Sequence, residues 1–153
     1  MEHVHIEDVD EWMGPAALKQ PLGRALGASD VAINYYELLP SESFAFGYHR
    51  HSDQEEIFIV LSGTVTFETD DGERVVEEGS AIRFEPGVFQ QGVNEGTERV
   101  RALAIGAPQE SGETEIRRDC PSCADRTPQS IEPGDDCLHT VCNVCETKTG
   151  NFT

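Results

Sequence analysis

From Val31 to Ile105 the sequence is a ladder of short apolar runs, each closed by glycine, proline, asparagine or aspartate, a punctuation that suits strands and little else. In Val31 to Leu39, Ile33, Tyr35 and Leu39 alternate with Asn34, Tyr36 and Leu38, a loose period of two. Pro40 to Glu42 turns the chain, and Phe44, Phe46 and Tyr48 then alternate with Ala45, Gly47 and His49. A polar loop from Ser52 to Glu55 leads into the apolar run Ile57 to Leu61, closed by Ser62-Gly63. Thr64 to Thr69 puts Val65 and Phe67 on one face, and Asp70-Asp71-Gly72 is a hairpin signal before Arg74 to Val76. Ala81 to Phe84, Phe89 to Val93 and Arg99 to Ile105 follow, separated by Pro86-Gly87 and Asn94-Glu95-Gly96. About seven or eight short strands at this spacing predict an all-β sandwich or barrel. Ahead of the ladder, Glu7 to Trp12 reads as a turn of helix, with Trp12 and Met13 at the barrel end.

The cysteines divide the chain in two. All five lie between Cys120 and Cys145, while nearly all the aromatic and β-branched runs lie before residue 108. Pro108 to Thr114 is polar, rich in turn formers and without a large apolar residue. The expected organisation is a barrel domain over 1–108, a linker over 109–115 and a small cysteine-bearing tail over 116–153.

Charge narrows the partners. The 153 residues carry 29 acidic against 11 basic side chains, a net charge of −18. Such a field repels phosphate backbones, so nucleic acid and anionic membrane are poor partners without a local basic patch, and Arg117-Arg118 is the only short candidate for one. Ile57 to Leu61 is far shorter than the roughly 18 residues of a bilayer span, and Glu2, Glu7 and Asp8 stand where a secretion signal carries basic charge. A cytoplasmic location is expected. Two lysines, Lys19 and Lys148, against nine arginines, with acidic residues from end to end, resemble the composition of proteins from extremely halophilic archaea.

Within the ladder, Gly47-Tyr-His-Arg-His-Ser-Asp-Gln-Glu-Glu-Ile-Phe-Ile-Val-Leu-Ser-Gly63 carries metal-ligand chemistry. His49 and His51 are two apart, so on a strand both imidazoles leave one face, and a short loop brings Glu56 beside them from the next strand. Two imidazoles and a carboxylate with open positions suit iron, manganese, nickel or zinc. On spacing alone a pair of surface histidines beside a polar loop is the competing reading. His3 and His5 repeat the spacing without a following glutamate and glycine in register, and read as a solvated segment.

Gly47, His49, His51, Glu56 and Gly63 resemble the first conserved motif of the cupin family in identity and spacing, and Gly79, Pro86, Gly87 and Asn94 resemble the second. The resemblance covers residues 30–106. It implies a small double-stranded β-helix, a jelly-roll barrel, with a metal or ligand in its mouth, and pairing into homodimers through barrel edges. Where the second motif normally presents a further histidine, this chain has Gln90. The implied barrel ligands are therefore His49, His51, Glu56 and Gln90, with a weaker hold on a divalent ion than a third imidazole gives. Gln91 faces the other way, Glu55 meets solvent, and Tyr35 and Arg83 are candidates to line the mouth.

The tail carries Cys120-Pro-Ser-Cys123, eighteen intervening residues, then Cys142-Asn-Val-Cys145. Each Cys-x-x-Cys forms a knuckle presenting two thiolates, and two knuckles complete a tetrahedral site. A segment this short buries too little core to fold without a metal or disulfides, and an odd cysteine count favours zinc. The tail resembles a zinc ribbon with Cys120, Cys123, Cys142 and Cys145 as ligands and with Cys137 and His139 left out. Rubredoxin-like iron is the minor alternative. Two functional classes remain open. One is a metal-binding barrel that takes a small molecule, with the ribbon meeting a protein partner. The other is a metal-dependent enzyme of dioxygenase or isomerase type acting on a small oxygenated substrate, with no nucleophile or general acid identified in the sequence.

Overall fold

The computed structural model describes residues 1–153. Thirteen strands and almost no helix follow the ladder: β1 (Leu18–Gln20), a single-turn α1 (Leu22–Ala25), β2 (Ala32–Leu38), β3 (Tyr48–His51), β4 (Glu55–Ser62), β5 (Thr64–Thr69), β6 (Gly72–Glu77), β7 (Ala81–Phe84), β8 (Gln90–Val93), β9 (Val100–Ala107), β10 (Thr114–Cys120), β11 (Asp125–Pro133), β12 (Leu138–Cys142) and β13 (Lys148–Phe152). A 3-10 turn at Ile6–Asp8 precedes them, inside the segment expected to be helical. No helix is long and apolar enough to cross a membrane.

The strands form two sheets, β1-β2-β9-β4-β7 and β13-β12-β11-β10-β3-β8-β5-β6. The first faces the β3-β8-β5-β6 half of the second, and together they make the jelly-roll barrel expected from the sequence. Its core is aromatic at the centre. Phe44, Phe58 and Phe67 cluster at ring separations of 5.0 to 6.1 Å, Phe84 lies 5.3 Å from Phe67, and Leu38, Val60, Val65 and Val100 close around them without solvent exposure. Burial of this kind contributes about 1.5–3 kcal/mol per large side chain and makes the barrel rigid enough to fix a site at its mouth. The Asp70-Asp71 turn joins β5 to β6 with Thr69 opposite Gly72, and Thr69 Oγ1 accepts the Asp71 N–H and donates to the Gly72 carbonyl.

Two expectations change. Phe44 and Phe46 do not extend β3. Ser43 bridges Val93, the chain bends through 44–47, and pairing with a neighbour begins at Tyr48. The segment over 109–115 is not a free linker. The Gln54 amide donates to the carbonyls of Pro108 and Gln109, Gln109 Nε2 donates to Ala28 O, and the N–H groups of Ser52 and Asp53 donate to Glu113 and Ser111 carbonyls. Thr114 and Glu115 already belong to β10.

The tail is accordingly a continuation of the barrel sheet. β10 lies antiparallel on β3, with Thr114 opposite His51 and Ile116 opposite His49, and β11, β12 and β13 follow outward. Gly47 allows this approach, because a Cβ there would lie 2.6 Å from the Arg117 carbonyl oxygen. Phe152 packs edge-on to Phe46 at 5.1 Å, Arg118 donates to the Phe46 carbonyl, and Arg126 pairs with Glu68 across the seam at 2.7 Å.

Candidate functional site

Two groups of ligand-type side chains converge. In the barrel, His49 and His51 on β3 and Glu56 on β4 bring their ligand atoms within 4.8 Å of one another, and Glu56 Oε2 stands 3.6 Å from each Nε2. Both imidazoles are oriented through the other nitrogen. His49 Nδ1 lies 3.1 Å from the Gly47 carbonyl, which only accepts, so Nδ1 carries the proton and Nε2 presents a lone pair. His51 Nδ1 lies 2.8 Å from Thr114 Oγ1, a group contributed by the tail. Burial pushes the Glu56 carboxyl up, yet the two imidazoles beside it outweigh this and hold it down to about 2. It is an anion at any physiological pH.

Gln90, paired in register with His49, completes the group. It is 1% exposed; its Nε2 donates to Glu56 Oε2 at 2.8 Å and sits 3.4 Å from His49 Nε2, while its Oε1 is buried without a partner. An orphaned acceptor of this kind is costly. Rotating the amide exchanges the two atoms and places Oε1 beside Glu56 Oε2 and His49 Nε2, where three acceptors repel unless a cation lies between them. Neighbouring ligands on an ion with bonds of about 2.1 Å stand about 3.0 to 3.4 Å apart, and these atoms are already near that spacing. The residues therefore fit a divalent ion. Gln91 points away and donates to Ser43 Oγ.

The group opens into a cavity of about 370 Å³. Asn34 and Tyr36 of β2 and Lys19 of β1 form one wall, Phe44, Phe58 and Ala104 the floor, and Thr114, Ile116 and Ile131 of the tail the opposite side. Lys19 stands directly across from Tyr36 in the β1–β2 ladder, and its Nζ lies 5.4 Å from the Trp12 ring and 5.6 Å from the Tyr36 ring. Burial lowers the Lys19 pKa, and Glu56 pulls it part of the way back. Burial also raises the Tyr36 phenol, with Glu56 adding to it, so the hydroxyl stays protonated. Tyr35 and Arg83 do not line the mouth. Tyr35 bonds Glu37 and Arg83 pairs with Glu55, both on the outer face of their sheet. Trp12, itself exposed, lines the rim of the cavity, whereas the similarly exposed Met13 does not. Lys19, Tyr36 and Thr114 carry no sequence signal that separates them from packing or linker residues.

The second group is in the tail. Cys120, Cys123, Cys142 and Cys145 also lie within 4.8 Å of one another, with Cys120 and Cys145 sulfurs 3.5 Å apart and Cys123 and Cys142 sulfurs 3.9 Å apart. Zinc with bonds of about 2.3 Å to four thiolates requires edges of about 3.8 Å. The two knuckles turn alike. Ala124 and Glu146, each just past the second cysteine, both have positive φ, at 54° and 62°, and each donates its N–H to the carbonyl of the first cysteine. The Thr127 hydroxyl, aided by the Val144 N–H, lowers the Cys142 thiol to about 6. The cluster is compatible with a small zinc module. Cys137 and His139 stand apart from it, with Cys137 Sγ 3.5 Å from His139 Nε2. His3 and His5 are exposed and lie outside any strand.

The family model of the cupin domain matches residues 34–106, which include the barrel ligand group. This chain carries a cupin domain. Solved structures share the architecture around it. A sugar phosphate isomerase of the cupin superfamily from Silicibacter pomeroyi is 19% identical, with a TM-score of 0.63, covering 99% of this chain and 92% of its own. A protein provisionally called a sugar phosphate isomerase, from Acidithiobacillus ferrooxidans, is 21% identical, with a TM-score of 0.59 and coverage of 94% and 86%. A polyketide cyclase from Streptomyces resistomycificus is 24% identical, with a TM-score of 0.60 and coverage of 74% and 83%. At these identities the likeness is one of fold. No curated protein sequence matches the chain. The first two coverages extend past the cupin domain, so the tail's placement on the barrel is part of a fold this chain shares.

Proposed function

We propose that the cupin domain binds a divalent ion, iron, manganese, nickel or zinc, through His49, His51, Glu56 and Gln90, and that it binds and acts on a small oxygenated molecule in the cavity beside it. The observation that carries this reading is the convergence of two imidazole Nε2 atoms and an anionic Glu56 on the buried amide of Gln90, whose Oε1 has no partner. When bound, the ion supplies Lewis acidity toward a ligand oxygen. The chain's residues do the rest. Tyr36 keeps its phenolic proton for a ligand acceptor, Glu56 stays ionised, and Phe44, Phe58 and Ile116 keep the floor and wall dry.

In the same reading, Cys120, Cys123, Cys142 and Cys145 hold a structural zinc whose work is to keep β10–β13 seated as a wall of the cavity. Thr114, Ile116 and Ile131 support this role over that of a module held out for a protein partner. The fold shared with a sugar phosphate isomerase makes isomerase activity on hydroxy-carbonyl compounds the first to assay. The test is elemental analysis of the full-length chain and of His49→Ala. Two metal equivalents per chain, falling to one in His49→Ala with zinc retained, support the reading; one zinc in both proteins overturns the barrel site.

A further inference from the structure

The cavity differs electrostatically from the rest of the molecule. In a chain of net charge −18, its lining has one carboxylate, Glu56, and, apart from the two ligand imidazoles, one basic side chain, Lys19. Lys19 Nζ has no ion-pair partner and rests between the rings of Trp12 and Tyr36. Cation–π contacts offset part of the cost of partly burying an ammonium, and no protein acceptor takes its three donors, which stay open to the cavity. The one opposing charge that reaches it is Glu56. An ion held by Glu56 engages that charge, and the loaded cavity then has two units of excess positive charge, from the ion plus Lys19 less Glu56. Such a cavity is complementary to an anion. Asn34 and Tyr36 lie two apart on β2, with Tyr36 opposite Lys19, so an amide, a phenolic O–H and an ammonium face the same space.

We propose that Lys19 is the seat of an oxyanion on the ligand, a carboxylate or a phosphomonoester, with Asn34 and Tyr36 bonding the same end while the ligand's hydroxyl or carbonyl oxygens reach the His49–His51–Glu56 centre. This rests on the function proposed above and adds the ligand's class: a small hydroxy or oxo compound with one terminal oxyanion. At about 370 Å³ the cavity lies near the lower end of the range for small-molecule sites, which suits a compound of a few carbons. The net negative surface does not prevent entry, since at physiological salt charges more than about 8 Å away are largely screened.

Trp12 supplies the reporter. It is the only tryptophan of the chain and lies 5.4 Å from Lys19 Nζ. Full-length protein, as purified and after chelator treatment with its metal content measured, is titrated with glycolate and glycerol 3-phosphate and with their neutral counterparts glycolamide and glycerol, following Trp12 emission and calorimetric heat. Saturable binding of an anionic probe at least about tenfold tighter than its neutral counterpart is expected, and the tighter of the two anions identifies carboxylate or phosphomonoester as the source. Lys19→Met should lose about tenfold or more for the anion while its metal content is unchanged, and Lys19→Arg should recover part of the loss. Equal binding of the anionic and neutral probes, a comparison that needs no variant, overturns the proposal, as does wild-type anion affinity in a folded Lys19→Met. A barrel without metal that still binds anions through Lys19 overturns the metal reading and upholds the Lys19 assignment. A metal-loaded barrel indifferent to Lys19→Met does the reverse.

Discussion

Thr114→Val removes one hydrogen bond and tests whether the tail serves the barrel. Thr114 Oγ1 lies 2.8 Å from His51 Nδ1, and the two residues are opposite one another in the β10–β3 ladder, so the backbone geometry is independent of the hydroxyl. Valine keeps the shape and the β-branching, and the strand should remain. What is lost is the group that engages Nδ1 and holds the His51 ring with Nε2 turned to Glu56. Partners of this kind are worth about 10–100-fold in metal affinity. The His51 side chain retains 15% exposure, enough for water to replace the hydroxyl in part. The expected loss is therefore at the lower end, about tenfold or about 1.4 kcal/mol at the barrel site. Competition of the full-length variant against a chromophoric chelator reads this directly, with tail zinc counted separately by elemental analysis. Thr114→Ser should bind the barrel metal as the wild type does. Unchanged affinity in Thr114→Val, with the zinc in place, would refute the claim that the tail orients a barrel ligand.

Cys142→Ser removes a buried sulfur from the four-thiolate cluster, and the expected result is loss of one zinc equivalent and a thermal transition that no longer responds to added zinc, checked by elemental analysis and calorimetry. The same variant should also weaken the barrel metal, because β10 lies on β3. Lys19 should titrate below the ordinary lysine range, burial being the larger effect and Glu56 opposing it. Between its folded and unfolded pKa values the unfolded chain holds the extra proton, so the contribution of Lys19 to stability rises with pH across that window and is least favourable below it. With only two lysines in the chain, NMR of isotope-labelled lysine resolves Lys19 from Lys148, and coincident titrations of the two would contradict the burial. Gly92→Ala should destabilise the barrel by about 1–3 kcal/mol in chemical denaturation, since its Cβ would lie 2.6 Å from Phe67 and 2.7 Å from Phe44 in the packed centre.

Much of the barrel was legible because strand periodicity and turn residues act locally. β5 and β7 begin and end where the alternation predicts, and the Asp70-Asp71 turn closes its hairpin. The expected strand at Phe44 failed for a tertiary reason. The Phe44 ring is needed in the aromatic centre beside Phe58 and Phe67, and the chain bends to deliver it there. Tyr35, a candidate from the sequence, does not reach the mouth, because the face of β2 that lines the cavity is the one carrying polar Asn34 and Tyr36. Lys19 was unreadable in kind. Its neighbours Leu18 and Gln20 do not distinguish a solvated lysine from one enclosed by Trp12 and Tyr36.

By itself the sequence determined the all-β class, the pairing of His49 with His51 on one strand face and the two cysteine knuckles, all of which depend on residues close together in the chain. Only the tertiary structure decided where these pieces lie relative to one another. The segment 109–115 has the composition of a linker, yet its backbone groups bond across to Ser52 and Asp53, residues about 60 positions earlier in the chain. Once β10 is registered on β3, Thr114 reaches His51, Ile116 and Ile131 face the cavity, and tail and barrel share one sheet. Pairing between such distant segments depends on which strand edge is free and on Gly47 leaving room for a neighbouring backbone. A local pattern of residues does not encode either condition.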